Sequence, residues 1–287
     1  MTAPAPRVVI IGHVEWVTHA QGHLPDRGRI ADLHDPWCEP AGGGGVAAVA
    51  AARLGAHVTL VTAFGDDPTG SESRRILEDR GVSAVASRAT GPQTPVLTII
   101  EPGGERTIMV VGPRMQARAT DLGETDLFAV ADAVYYTGED PALLRLARQS
   151  RHLVVSGRRL ADVTAARIVA DVIVASANDP EESPAALPGE LAPGAVVMTN
   201  GAAGGSIRSN GAAVRRYAPT VQAAPIVDSY GCGDSFAAGL TVGLARGLAI
   251  DDAVAVGAAA GGLCATWRGG LGPPSPREMP RGGTGNE

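Results

Sequence analysis

Asp228-Ser229-Tyr230-Gly231-Cys232-Gly233-Asp234 leads directly into Ser235-Phe236-Ala237-Ala238-Gly239-Leu240, two glycines and a carboxylate at the mouth of an apolar, small-residue helix. Glycine admits turns in which successive N–H groups converge, and a helix starting near Asp234 adds the positive end of its dipole. An anion fits such a place, and phosphate is its natural form. Asp is also a favoured N-cap, worth about 1 kcal/mol in that role alone, and close packing against a strand is enough to explain a glycine. A cap needs only one acceptor, however, whereas Gly231 and Gly233 leave a concave backbone with no side chain to fill it. A carboxylate that accepts an alcohol proton beside N–H donors facing a moving phosphoryl group is a sufficient minimal site for phosphoryl transfer. An ordinary low pKa is expected of this base, which must stay ionised.

Working outward, short β-branched runs alternate with Ala/Leu-rich helical patterns at 8–12, 46–54, 58–63, 71–80, 133–136, 143–148 and 153–155. The rhythm continues at 172–175, 196–199, 235–246 and 252–268. It predicts an α/β fold, an open and mostly parallel sheet flanked by helices, with any site at the carboxyl ends of the strands. Two segments break the rhythm, 13–40 and 93–111; in the second, runs at 96–100 and 107–111 flank Glu101-Pro102-Gly103-Gly104-Glu105 as in a hairpin. Both are read as strands of a small β lid inserted in one domain spanning 1–275. The Gly- and Pro-rich end of the chain is expected to be disordered over 276–287.

At 287 residues with 45% hydrophobic residues the chain can bury one sizeable core. A net charge of −6 and the lack of a dense basic block remove the electrostatic footprint of nucleic-acid binding. The sequence contains no Lys, so all 24 basic residues are Arg, and a G-x-x-x-x-G-K-[ST] phosphate loop is impossible. Cys38, Cys232 and Cys264 suit neither a disulfide framework nor a metal site. With no apolar run long enough for a signal peptide or membrane span, a soluble, cytoplasmic protein with no membrane partner is expected. Four histidines at 13, 19, 23 and 34 lack a helical pattern to gather them, and read as loop residues rather than metal ligands.

Gly42-Gly43-Gly44-Gly45-Val46-Ala47 admits a dinucleotide reading, since Gly42, Gly44 and Ala47 match G-x-G-x-x-A and Asp66 follows the next strand. That fingerprint requires a strand directly before the first glycine, whereas Asp35-Pro36-Trp37-Cys38-Glu39-Pro40 precedes it here, its two prolines suiting an edge or a loop. An NAD-dependent oxidoreductase is therefore the weakest alternative.

Asp228 to Asp234 resembles the D-T-x-G-A-G-D signature of the PfkB (ribokinase-like) carbohydrate kinases, with Ser229 for Thr and Cys232 for Ala. The glycine segment ending in Leu54-Gly55, followed by Gly65-Asp66-Asp67-Pro68-Thr69-Gly70, is similar to the family's first signature, and Gly104-Glu105-Arg106-Thr107 to a stretch of its lid. Asn178-Asp179-Pro180-Glu181 matches N-x-x-E, and Thr199-Asn200-Gly201-Ala202-Ala203-Gly204 matches T-x-G-x-x-G; the motifs fall in family order across about residues 8 to 275. The resemblance implies a ribokinase-like fold and an ATP- and Mg²⁺-dependent kinase acting on an alcohol, with a sugar as the expected acceptor. It makes Asp234 the general base and the N–H groups around Gly231, Cys232 and Gly233 the anion hole. Asn178, Thr199, Gly201 and Gly204 would border the nucleotide, with Asn178 and Glu181 holding Mg²⁺ through water. Gly42, Gly43 and Val46 would fall on the acceptor side. Two departures stand out: the family's sugar-binding Asn falls on Val46, and the Asp expected after the first strand is missing from Gly12-His13-Val14-Glu15-Trp16-Val17. Glu15 and His13 are the nearest substitutes, with Trp16 either stacking on the substrate or packing. Asp228 corresponds to a residue that helps build a monovalent-cation site in some relatives, and pairing through the lid is frequent, so a homodimer is a further expectation. A nucleoside kinase on the same fold and a non-catalytic nucleotide- or sugar-binding protein are the alternatives.

Overall fold

The structure, a computed structural model, describes residues 4–184 and 187–274, so the expected disorder of 276–287 lies outside the described residues. In chain order its strands are β1 (Arg7–Ile11), β2 (Glu15–Gln21), β3 (His34–Ala41), β4 (His57–Phe64), β5 (Val82–Arg88), β6 (Pro95–Ile100), β7 (Arg106–Val110), β8 (Ala133–Tyr136), β9 (Leu153–Ser156), β10 (Val172–Ser176), β11 (Ala195–Thr199), β12 (Gly205–Ser209) and β13 (Arg215–Tyr217). The helices are α1 (Gly42–Arg53), α2 (Pro68–Asp79), α3 (Pro141–Ala147), α4 (Leu160–Ala166), α5 (Cys232–Ala245) and α6 (Ile250–Cys264).

Nine strands form one sheet in the order β13-β12-β11-β10-β9-β8-β1-β4-β5, parallel except for the hairpin edge β12–β13. Continuous apolar runs such as Val8-Val9-Ile10-Ile11 suit strands covered on both faces. One face packs on α1, α5 and α6 through residues including Ile10, Leu60, Val46 and Leu240; the other packs on α3 and α4 through Ile11, Tyr136, Leu143 and Val163. β1 has β4 on one side and β8 on the other, so the order of strands reverses there, which is where open α/β sheets hold their ligands.

Local chemistry fixes the helix starts. Asp67 accepts from Gly70 N–H at 2.9 Å and Asp140 from Ala142 N–H at 2.9 Å, each followed by a proline suited to the first turn. α1 begins four residues before the apolar run from which the sequence predicts it, with no side-chain cap of its own. His13 takes its place: Nε2 accepts from Gly43 N–H at 3.3 Å and the carbonyl accepts from Gly44 N–H at 3.0 Å. Gly44 is required because a Cβ there would lie 2.6 Å from the Gly12 carbonyl carbon.

Above the reversal point lies a second sheet in the order β3-β2-β6-β7. β2 and β6 pair in parallel, and β3 and β7 flank them antiparallel. Pro36 and Pro40 lie in β3, an edge strand, where a missing N–H costs nothing in pairing. Gly65-Asp66-Asp67 fastens this sheet to the body: Gly65 N–H donates to Gln93 Oε1 at 2.9 Å, Asp67 Oδ1 accepts from Gln93 N–H, and Gln93 Nε2 donates to the Val14 carbonyl at 2.6 Å. No helix of the described residues is long and apolar enough to cross a membrane.

Candidate active site

The exits of five adjacent parallel strands, β1, β8, β9, β10 and β11, lie along one edge of the large sheet. They deliver, in that spatial order, Gly12-His13, Thr137, Gly157-Arg158-Arg159, Ala177-Asn178 and Asn200-Gly201. The loop before α5 crosses this row. Gly231 adopts φ +76°, and a Cβ there would meet Val46 Cγ1 at 2.8 Å and the Gly270 Cα at 3.1 Å, so both conformation and space demand glycine. Asp228 anchors the loop from within: it is buried, Oδ1 accepts from Tyr230 N–H at 2.8 Å and Oδ2 from Gly269 N–H at 2.9 Å. Tyr230 crosses to the other glycine helix, its hydroxyl accepting from Gly42 N–H at 3.2 Å.

Asp234 sits in the first turn of α5. A Cβ at Gly43 would lie 3.1 Å from its Oδ1 and 3.3 Å from Thr137 Oγ1, so the carboxylate rests between the start of α1 and the exit of β8. Beside it, a Cβ at Gly233 would meet nothing within 4 Å. That open mouth faces the α5 N-terminus, whose first N–H groups have no helical acceptor. Cys232 N–H is turned into the loop, donating to the Ser229 carbonyl at 3.4 Å. Burial raises the Asp234 carboxyl to about 6, opposed by the charges of Arg106 and Arg158 and assisted by those of Glu182 and Glu15. The carboxyl thus departs from the ordinary low value expected of it, yet remains ionised at neutral pH.

The lid meets this loop through β7 and the turn before it. Arg106 Nη1 donates to Ser229 Oγ at 3.0 Å, and Ser229 N–H donates to the Gly104 carbonyl at 3.0 Å. On the β1 side, buried Glu15 accepts from Arg114 Nε at 2.7 Å, and His13 Nε2 lies 3.7 Å from the same Glu15 oxygen. His13 stays neutral, pushed down to about 3 by burial and then by Arg114 and Arg159; its Nε2 accepts from Gly43, so the proton is on Nδ1. Strand alternation puts Trp16 on the face of β2 opposite to Glu15, Val17 and His19. Val46 is fully buried, its methyls against Gly231 and Gly270, so it backs the anion loop instead of lining the cleft.

At the far end, Thr199 Oγ1 donates to the Ala175 carbonyl at 3.3 Å, and Asn200 N–H to the Gly204 carbonyl at 2.8 Å, which closes the Gly201–Gly204 turn. Asn178 and Glu181 are exposed, and no hydrogen bond or ion pair of their side chains occurs among the described residues. The neighbouring Glu182 is buried, accepts from Ser176 N–H at 2.7 Å and pairs with Arg158 Nε at 2.9 Å. It is Glu182 whose charge Asp234 feels, although N-x-x-E singles out Glu181. Sequence reading assigned no role to Thr137, Arg106, Arg114, Arg158, Arg159 or Glu182. A signal was present for two of them: Arg158-Arg159 follows a strand directly in a chain whose only strong cations are arginines.

The model of the pfkB family carbohydrate kinases matches residues 5–170 and 167–277. The chain belongs to the PfkB family. Among curated relatives of this family member, an ATP-dependent ribose-1-phosphate kinase of Halopiger xanaduensis is 34% identical over 188 residues, 61% of this chain and 62% of its own. An acarbose 7(IV)-phosphotransferase of an Actinoplanes species is 29% identical over 195 residues, 68% of this chain and 56% of its own. The matched stretches therefore span less than two thirds of either relative. The Arabidopsis thaliana ribokinase complexed with ribose and ATP superposes with a TM-score of 0.70 at 19% identity, covering 93% of this chain and 95% of that one. The PfkB fold is thus common to both chains.

Proposed function

We propose that this PfkB-family chain is an ATP-dependent kinase that transfers the γ-phosphoryl group to an alcohol of a sugar or sugar phosphate, with Asp234 as general base. One observation carries the reading: a carboxylate raised to about 6 lies beside an open helix N-terminus, at the point where the strand order reverses. The acceptor hydroxyl gives its proton to Asp234 as its oxygen attacks the γ-phosphorus. The N–H groups at Gly233 and Asp234 and the guanidinium of Arg106 meet the charge on the transferred group. The lack of a side chain at Gly43 leaves the room that the carboxylate occupies.

ATP lies along the row of strand exits, towards Thr199, Gly201 and Gly204. The exposed oxygens of Asn178 and Glu181 suit a hard cation that keeps most of its water, and we assign Mg²⁺ to them. A cation held there by Asn178 and Glu181 would supply positive charge against that of the phosphates. Asp228 does not fit a monovalent-cation ligand equally well, because each of its oxygens already accepts a backbone N–H. At the acceptor end Glu15 and His13 replace the family's usual carboxylate and amide. Arg114, bound to Glu15 through Nε and 39% exposed along its side chain, adds a cation able to meet an acceptor phosphate. The names of the two curated relatives support acceptors larger or more charged than free ribose.

The test is phosphoryl transfer from γ-labelled ATP to a panel of sugars, sugar phosphates and nucleosides, run beside Asp234→Asn. Transfer to one class, reduced by about a thousandfold or more in the variant with ATP affinity held within a few fold, is the expected result. Equal turnover in the variant would remove Asp234 from the chemistry. ATP binding without transfer to any acceptor would instead favour a non-catalytic binding protein.

A further inference from the structure

Cys232 opens α5 and Cys264 closes α6. The two helices approach so closely that only glycine fits between them. A Cβ at Gly257 would lie 2.7 Å from the Phe236 carbonyl oxygen, and one at Gly261 would lie 2.9 Å from that of Cys232. This close packing brings both thiols to one stretch of backbone. Cys264 Sγ is 3.4 Å from the Tyr230 carbonyl oxygen, and Cys232 Sγ is 3.9 Å from that of Asp228. The two thiols are near enough to act on each other's acidity, which raises Cys232 and lowers Cys264. Cys264 is fully buried, whereas Cys232 is partly exposed. Neither sulfur takes part in the proton transfer described above.

We propose that Cys232 and Cys264 form a redox-modification site, at which hydrogen peroxide converts the thiol pair into an intramolecular disulfide that deforms the anion loop. Cys232 Sγ attacks the peroxide: the S–O bond forms, the O–O bond breaks, and the departing oxygen leaves as water with the thiol proton. Cys264 Sγ then attacks Cys232 Sγ, the S–O bond breaks, and a second water carries away the Cys264 proton. The two thiols lose two electrons and the peroxide gains them. The contact with Cys264 and burial raise the Cys232 thiol, which makes the attack on peroxide the slow step, whereas the contact with Cys232 holds the Cys264 thiol below its ordinary range and favours it as the attacking sulfur in the second step. Bonding draws the sulfurs to about 2 Å, well inside nonbonded contact. α6 has no room to approach, because Gly261 already touches the Cys232 carbonyl, so the adjustment falls on the turn 231–233.

The effect on phosphoryl transfer rests on the kinase reading, while the bond itself does not. The full chain is treated with hydrogen peroxide and examined by non-reducing peptide mass mapping and by the transfer assay. A cross-linked peptide joining residues 232 and 264, lighter by two hydrogens, is expected in the wild type and in Cys38→Ser. It is absent from Cys264→Ala, whose untreated activity matches the wild type. Activity of the cross-linked wild type falls by about a hundredfold, the scale of a 1 Å displacement of catalytic groups. It returns with dithiothreitol, and Cys264→Ala keeps its activity under peroxide. Cys264→Ser replaces the alanine variant should the latter misfold. Oxidation of Cys38 without the 232–264 bond overturns the proposal, as does inactivation that proceeds equally in Cys264→Ala. Full activity in cross-linked protein overturns its effect on the loop. A chain that transfers phosphate to no acceptor yet forms the bond defeats the kinase reading and leaves the modification site standing.

Discussion

Asp234 differs from an ordinary surface carboxylate in being raised to about 6 by burial. Its protonated form cannot accept the acceptor's proton, so kcat/KM is expected to fall on the acid side with an apparent pKa near this value. Arg106 is the first of the charges that oppose the shift. Arg106→Met should therefore move the acid limb of the pH–rate profile to higher pH, and an unmoved limb would show that the lid arginine does not reach the base. The same shift enters stability. The folded-state value lies above the unfolded one, so its contribution is fully present below pH 3.8 and is lost as pH rises through about 6. Asp234→Asn should accordingly stabilise the fold at pH 8, by up to about 3 kcal/mol, and give no gain near pH 3.5, read as Tm at the two pH values. Of the site residues, Asp234 and its glycines were legible in the sequence because consecutive residues build that part. Thr137 and Arg114 were not, since one comes from a strand exit and the other from a separate loop, and they join the site only in three dimensions.

At the scale of elements, what reads from sequence is what is buried on both faces. β1, β8, β9 and β10 are near-continuous apolar runs and stand out. β5, Val-Ser-Ala-Val-Ala-Ser-Arg, lies at the sheet edge, mixes serine with small apolar residues and gives no such signal. α4 is only two turns long and follows Gly-Arg-Arg, so its period never accumulates. α1 hides its first turn in glycines whose partner is His13, far back in the chain. The packing of α1 against the anion loop supports a further expectation. Restoring the family's asparagine by Val46→Asn places an amide against Gly231 and Gly270 at a site with no exposure. Stability should drop by about 2–4 kcal/mol with no gain in sugar affinity, measured by denaturant titration and ligand binding. Tighter sugar binding in that variant would mean that the side chain reaches the cleft after all.

For the molecule as a whole, the lid ends in two edges of different character. β3 carries two prolines, while β7 presents Ile108 at 43% exposure, with Val111 just beyond at 59%. An apolar edge strand invites pairing with a second copy. A dimer at twice the 29.1 kDa chain mass is expected by light scattering, and Ile108→Glu with Val111→Glu should leave monomers; a wild-type monomer would refute pairing through this edge. The order of assembly follows from where the last helices go. α5 and the 269–272 turn close over α1, with Val46 against Gly231 and Gly270 and Arg53 donating to the carbonyls of Leu271 and Pro273. During synthesis the first-made side of the sheet leaves the ribosome long before its cover, and at about 5–20 residues per second the interval is on the order of ten seconds or more. Until residue 270 has emerged, the alanine- and valine-rich flank of α1 is open, and the half-built sheet is a client for whatever guards nascent chains.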